Sequence, residues 1–174
     1  MAQGFGCSPF PHVRWQTDDA TFLSGPFPDD AQASWALVFP FYGDRIVLAE
    51  IPGRGWCIPS GNVERGETAR EAAVRECFEE SGATLTRLAP LGRFQRTDTQ
   101  TGEVRYAAVY LGDVGNLEDL PDGSESQGRI LLGIEEVEGA YFAWDALLAA
   151  VFAHAESERL NLLPAGVPLS DLTG

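Results

Sequence analysis

The chain has 174 residues, 44% of them hydrophobic and 10% aromatic, enough for one domain with a core of ordinary size. Its 26 acidic and 12 basic residues leave a formal charge of −14, which argues against phosphate-backbone binding as the main activity, because nucleic-acid binders carry a basic footprint. Three cysteines (Cys7, Cys57 and Cys77) are too few and odd in number for a disulfide framework, and none has a histidine at zinc-site spacing.

Residues 1–32 are rich in Gly, Pro, Phe and Asp without a helical or strand period, and are expected to wrap as an N-terminal arm with a short strand near Val13 to Trp15. No basic segment followed by an apolar run opens the chain, and no apolar run reaches membrane-spanning length. The expectation is a soluble, cytoplasmic protein with no membrane partner. One domain is expected over 33–163. Within it, Ser34 to Tyr42 and Arg45 to Ile51 flank Gly43-Asp44 as a hairpin, and Trp56 to Ile58 is a short strand. Pro59-Ser60-Gly61-Asn62 is turn chemistry and Arg65-Gly66 a second break.

A helix is predicted next. Thr68 with Glu71 three residues on makes a capping box, Ala, Glu and Arg favour the helix interior, and Gly82 stands where a left-handed residue ends it. Thr84 to Gln95 and Val104 to Val114 read as strands joined around Asp98 to Gly102. Residues 115–128 are acidic and polar, a long loop of the kind that serves as a lid or binding segment. Arg129 to Gly133 and Ala140 to Ala143 read as short strands, Asp145 to Leu160 as a second amphipathic helix, and 164–174 as an irregular tail. Strands on both sides of one helix and a closing helix fit a mixed sheet covered on both faces; periodicity alone says α+β or α/β.

The first helix carries the chemistry. Glu76 and Glu80 lie one turn apart with Glu79 beside them, while Ala73, Val74, Cys77 and Phe78 occupy the core side. Arg75 is four residues from both Glu71 and Glu79, within reach to orient carboxylates. An ordinary surface helix laced with Glu–Arg pairs is the bland alternative, although exposed pairs stabilise little. Three carboxylates within five positions repel one another, and make sense if a doubly charged cation sits there.

From Gly61 to Ala83 the chain resembles the Nudix box, G-x5-E-x7-R-E-U-x-E-E-x-G-U, where U is a bulky aliphatic residue. Gly61, Glu67, Arg75, Glu76, Glu79, Glu80 and Gly82 occupy its glycine and charged positions, and Trp56, Ile58 and Pro59 resemble the usual approach. Cys77 and Ala83 depart from the bulky aliphatics, and Ser60-Gly61-Asn62 replaces the commoner paired glycines.

The resemblance implies an α+β fold, the Nudix α/β/α sandwich with a mixed β-sheet. It also implies a Mg2+-dependent hydrolase (Mn2+ as the alternative ion) that cleaves the diphosphate linkage of a nucleoside diphosphate derivative or nucleoside triphosphate by metal-activated water. Glu76 and Glu80 are then the metal ligands, with the Gly61 carbonyl as a further donor. Glu79 is either a ligand or the base; Glu67 supports the cluster through Arg75, and Gly82 stops the helix. Some relatives take the base from a late loop, which here nominates Glu136, between Glu135 and Glu138. Arg93, Arg96 and Arg105 are the candidates for binding substrate phosphate, with strand-edge solubility as the alternative.

Substrate marks within the family do not narrow the choice: Thr97 stands near the place of the ADP-ribose group's proline, and Gln100 near that of the diadenosine-polyphosphate group's tyrosine. The expected partner is a nucleotide-derived small molecule, with a homodimer possible by analogy and no nucleic acid. A nucleotide-sensing domain without turnover, and a protein-interaction domain working through 115–128, are the competing readings.

Overall fold

The computed structural model describes residues 9–27 and 32–172; Cys7 and the rest of the arm's opening lie outside them. In chain order the strands are β1 (Val13–Trp15), β2 (Asp18–Ser24), β3 (Ala33–Tyr42), β4 (Arg45–Ile51), β5 (Gly55–Cys57) and β6 (Ser60–Asn62). Helix α1 (Ala69–Ser81) follows, then β7 (Ala83–Asp98), β8 (Val104–Leu117) and β9 (Arg129–Leu132). A single 3-10 turn (Ile134–Glu136) leads to the one-turn helix α2 (Val137–Ala140), then α3 (Ala146–Ala165) and β10 (Val167–Pro168).

The strands form one mixed sheet in the order β1-β2-β7-β8-β3-β4-β5, with β10 on β7, β6 on β3 and β9 on β4. Every pairing is antiparallel except β3 with β8, which run parallel from Ala33↔Tyr106 to Phe41↔Asp113. Alternation along these strands builds two cores. Phe39, Phe41, Val109, Leu111 and Phe94 pack with Leu147, Val151 and Phe152 of α3. Ala36, Val38, Ala108 and Tyr110 face the other way, onto Ala69, Ala72, Ala73 and Cys77 of α1. The result is the α/β/α sandwich.

The α1 interface is built mainly from small residues. Cys77 and Ala83, the two departures from bulky aliphatics, are both buried in it. Ala69, Ala72 and Ala73 beside them let the helix lie close to the sheet. Val74 and Phe78, placed on the core side by spacing, are only half-buried.

Three expectations change. The short strand expected near Val13 to Trp15 is β1, but the arm also forms β2, which pairs with β1 and with β7, from Asp18↔Asp98 to Ser24↔Gly92. Residues 140–143 are not a strand: α2 ends at Ala140, and only Tyr141 makes an isolated bridge, to Trp56. The aromatics that suggested a strand serve packing instead, Tyr141 and Trp144 both lying against Phe152 at ring-centroid distances of 5.3 and 5.2 Å. The tail is also more regular than expected. Helix α3 continues through Pro164 to Ala165 and β10 adds an edge to β7, while Arg87 Nη1 donates to the carbonyls of Pro164 (3.3 Å) and Gly166 (3.1 Å).

The loop 118–128 is strapped to the end of α1. Ser124 Oγ donates to the Glu79 carbonyl (2.6 Å) and Arg129 Nη1 to the Ser81 carbonyl (2.9 Å), satisfying two carbonyls that a helix end leaves unpaired. Among the described residues no helix is long and apolar enough to cross a membrane.

Candidate active site

Helix α1 begins and ends as its residues dictate. Thr68 Oγ1 accepts from Glu71 N (3.2 Å) while Glu71 Oε2 accepts from Thr68 N (2.7 Å), closing the capping box. At the other end Gly82 adopts φ 65° and donates to the Phe78 carbonyl. Gly82 also meets a second demand: a β-carbon there would stand 2.5 Å from the Glu118 carbonyl oxygen, so the loop can approach only a glycine.

Between these caps Arg75 gathers the carboxylates. Its Nε and Nη2 donate to the two oxygens of Glu67 (2.8 and 2.9 Å), a bidentate fork. Its Nη1 reaches Glu76 (2.6 Å) and Glu79 (3.2 Å), and Nη2 also reaches the Asn62 carbonyl (3.0 Å). Glu80 takes a different donor, the Ser60 backbone N–H at 2.9 Å. That donor lies in β6: where a turn was expected, Ser60 to Asn62 pair with β3 as a strand, in the register Ala36↔Gly61 and Leu37↔Ser60. Gly61 itself lies against Glu76 so closely that a β-carbon would fall 1.9 Å from Glu76 Oε1.

The electrostatics follow from sharing one guanidinium among three carboxylates, with a fourth, Glu80, half-buried beside them. Burial pushes the Glu80 carboxyl up to about 7, reinforced by Glu76 and by Glu125 from the loop and opposed by the Ser60 bond. Burial also raises Glu76, outweighing the pull of Arg75. The bonds from Arg75 hold Glu67 below its usual range, and Glu67 in turn raises the guanidinium above its own.

This donor set fits a divalent cation such as Mg2+: carboxylate oxygens are what a hard cation takes, and the glycine at 61 leaves backbone beside Glu76 where any side chain would intrude. As the side chains stand, Glu76 is turned to Arg75 and Glu80 to Ser60. Among the described residues no three acidic, imidazole or thiol groups converge into a ready cage.

The carboxylates edge a cavity of about 1290 Å³ between the sheet and the segment from Tyr141 to Leu148. Arg75, Glu76, Glu79, Glu80, Gly61 and Arg96 all line it. Glu67 does not; it meets the site through Arg75. Arg93 and Arg105 are absent from the lining: Arg93 stacks over Tyr106, 4.7 Å from the ring centroid, and Arg105 is paired with Asp18 (3.1 Å). Glu136 is likewise outside it, 3.6 Å from Arg45 and accepting from the Gly133 N–H at 2.7 Å.

Sequence reasoning passed over three lining residues. Arg54 comes from the turn between β4 and β5, where Gly53 and Gly55 have φ of 74° and 108°, and it lies near enough to Glu80 to oppose that group's raised pKa. The Pro52-Gly53-Arg54-Gly55 turn was its signal. Arg14 comes from β1, where it pairs with Asp19 at 3.0 Å. Glu125 comes from the acidic loop, whose sequence has no feature that marks it off from its neighbours.

A second part of the wall is aromatic: Trp15, Trp35, Phe94 and Trp144. Trp15 Nε1 donates to Asp145 Oδ2 (2.6 Å), while Asp145 Oδ1 caps α3 by accepting from Leu148 N (2.8 Å). The cavity thus presents an anionic wall beside a ring-lined one.

Comparison with known proteins bears on this arrangement. The model of the NUDIX domain matches residues 32–161. A Bacillus subtilis (strain 168) protein named "Putative 8-oxo-dGTP diphosphatase YtkD" is 33% identical over 115 residues, 66% of this chain and 70% of that protein. A Mycobacterium tuberculosis protein named "Putative mutator protein MutT4" is 32% identical over 125 residues, 66% of this chain and 44% of that protein. Among solved structures, a point mutant of the Bacillus subtilis pyrophosphohydrolase BsRppH superposes with a TM-score of 0.71 at 23% identity, covering 85% of this chain and 97% of that one. A Caenorhabditis elegans Ap4A hydrolase gives 0.57 at 19% identity, covering 74% and 98%. At these identities the structural likeness speaks for the fold.

Proposed function

Because the chain belongs to the Nudix hydrolase family, we propose that it is a divalent-cation-dependent diphosphatase acting on a nucleoside triphosphate or a nucleoside diphosphate derivative. The observation that carries this reading is the gathering of Glu67, Glu76 and Glu79 on Arg75, with Glu80 beside them, at the edge of a cavity of nucleotide size.

Water adds across the P–O–P linkage: a new P–O bond forms, the bridging oxygen leaves with the other phosphoryl group, and one proton must be taken up. Glu79 is the proposed base. Its side chain is 51% exposed and makes a single 3.2 Å contact with Arg75, so it is open to water while staying in place. Glu125, brought to the cavity by the loop, is the second candidate and takes the part for which the family resemblance nominated Glu136. Glu76 and Glu80 would hold Mg2+, with Mn2+ as an alternative and the Gly61 carbonyl as a further donor. When bound, the ion neutralises phosphoryl charge and lowers the pKa of water. Arg54, Arg96 and Arg14 are the cationic side chains of the lining beyond Arg75; Arg54 and Arg14 are the proposed phosphate contacts, and Arg96 is proposed to meet the rest of the substrate.

Turnover of a panel tests this reading: 8-oxo-dGTP first, because of the YtkD likeness, then ordinary nucleoside triphosphates, ADP-ribose, nucleotide sugars and diadenosine polyphosphates. Activity is expected to require Mg2+, to vanish with chelator, and to fall about 10²–10⁴-fold in kcat in Glu80→Gln. Nucleotide binding without turnover of any compound would overturn it in favour of a sensor.

A further inference from the structure

We propose that Asp18 is a positioning residue for substrate selection, holding Arg96 at the cavity wall so that its guanidinium favours bases that carry a ring carbonyl. This rests on the reading that the cavity takes a nucleotide.

Asp18 is 1% exposed and lies at the start of β2, opposite Asp98 at the end of β7. Its Oδ2 forms an ion pair with Arg96 Nη2 at 2.7 Å, while Arg105 Nη2 donates to Oδ2 at 3.1 Å and to Oδ1 at 3.3 Å. The two arginines face each other across β7 and β8. A single buried carboxylate therefore keeps two like charges side by side. Without it they would repel, and only the contacts with neighbouring rings would hold Arg96 against that repulsion.

That orientation is specific. The Arg96 guanidinium carbon is 5.9 Å from the Trp15 ring and 5.7 Å from the Trp35 ring, so the cation sits between two indoles. Arg105 shares the Trp35 ring at 5.7 Å yet does not line the cavity; Arg96 does, with 27% of its side chain exposed. Its Nε is buried and finds no partner among the described residues, and its Nη2 pairs with Asp18, so a ligand would meet the remaining, exposed part of the guanidinium. A fixed planar donor beside Trp15, Trp35 and Phe94 suits a flat ring with a carbonyl acceptor at its edge, the pairing arginine makes with guanine O6. Adenine has no ring carbonyl to offer.

Tryptophan fluorescence tests this without turnover, because Trp15 and Trp35 flank Arg96. The protein is titrated with dGMP and dAMP in the presence of chelator, as wild type, Asp18→Asn, Arg96→Lys and the double variant. Wild type is expected to bind dGMP about tenfold more tightly than dAMP, the discrimination of one hydrogen bond to a charged group. Asp18→Asn should bring that ratio close to one with dAMP affinity unchanged. Arg96→Lys, which keeps a cation beside Asp18 and so spares folding, should do the same, and the double variant should lose nothing further, as expected when one residue acts through the other.

An unchanged ratio in Arg96→Lys, an equal loss of both nucleotides in Asp18→Asn, or a wild type that binds both alike would each overturn the proposal. Discrimination that is lost in Asp18→Asn, in a protein that turns over no compound of the panel, would uphold the Asp18 role and sink the hydrolase reading. A wild type that hydrolyses nucleotides without discriminating would do the reverse.

Discussion

The two walls of the cavity are built by opposite strategies. The anionic wall comes mainly from one stretch of chain, residues 60 to 80, in which a short strand and a helix present Ser60, Gly61, Arg75 and the glutamates together. Its charge is left uncompensated, with one guanidinium among four carboxylates and two of those carboxyls raised by burial. The ring-lined wall comes from β1, β3, β7 and the approach to α3, and its charges are neutralised in place: Asp18 by Arg96 and Arg105, and Asp145 by the Trp15 N–H and the helix end it caps. The difference teaches how the two proposed roles divide. An excess of one charge suits the proposed binding of an ion, whereas a wall whose charges are satisfied suits the proposed choice among bases.

The anionic wall should therefore be brittle. In Gly61→Ala the new methyl must displace the Glu76 carboxylate. We expect kcat to fall about 100-fold with at most about 1–3 kcal/mol lost in stability, checked by steady-state kinetics beside denaturant unfolding. Activity within twofold of wild type would break the claim that Glu76 depends on close backbone approach.

A milder effect separates two loop carboxylates. Glu125→Gln should lower kcat about tenfold, because Glu125 lines the cavity and acts on Glu80, while Glu136→Gln should stay within about twofold. The reverse order would return the late-chain role to Glu136 and require 134–140 to move.

The smallest effect is on stability. An ordinary glutamate titrates near 4.5, but in the folded protein Glu80 does so at about 7. Between those values the folded state binds more protons than the unfolded chain, so this contribution to stability is present at low pH and lost as pH rises through the window. Glu76 acts in the same direction. Glu67, shifted downward, changes only in more acid solution. With chelator present, the melting temperature should fall between pH 5 and pH 8 by a few degrees, each 1 kcal/mol being worth about 2–4 °C at this length. In Glu80→Gln the fall should be visibly shallower; parallel profiles would show that Glu80 is better solvated than its position implies.

The legible parts of the molecule were those decided within a few residues. The capping box of Thr68 and Glu71, the left-handed Gly82, the hairpin at Gly43-Asp44 and the face carrying Glu76 and Glu80 all follow from local rules, and the structure shows each of them. β2 was not legible, because Asp18 is buried in it as an ion-pair partner rather than exposed as acidic sequence suggests, so the alternation with Ala20 and Phe22 is masked. Tyr141 to Ala143 looked like a strand because aromatic runs favour strands, yet the pull of Phe152 outweighed that preference. Arg93, Arg96 and Arg105 were indistinguishable by type; the pleat and the register of β7 with β8 sort them, turning Arg96 to the cavity and Arg93 onto Tyr106.

What the sequence determined by itself was the reactive element: helix periodicity and two glycines are enough to bring carboxylates together, since their spacing is set by a repeat that needs no partner. Only the tertiary structure decided which arginines meet the cavity, which loop glutamate joins the site, and how Asp18 holds Arg96. Those depend on strand pairings between residues 80 or more apart in the chain, as in Asp18↔Asp98 and Ile46↔Leu132, and such pairings are fixed by burial of the whole sheet rather than by any local preference.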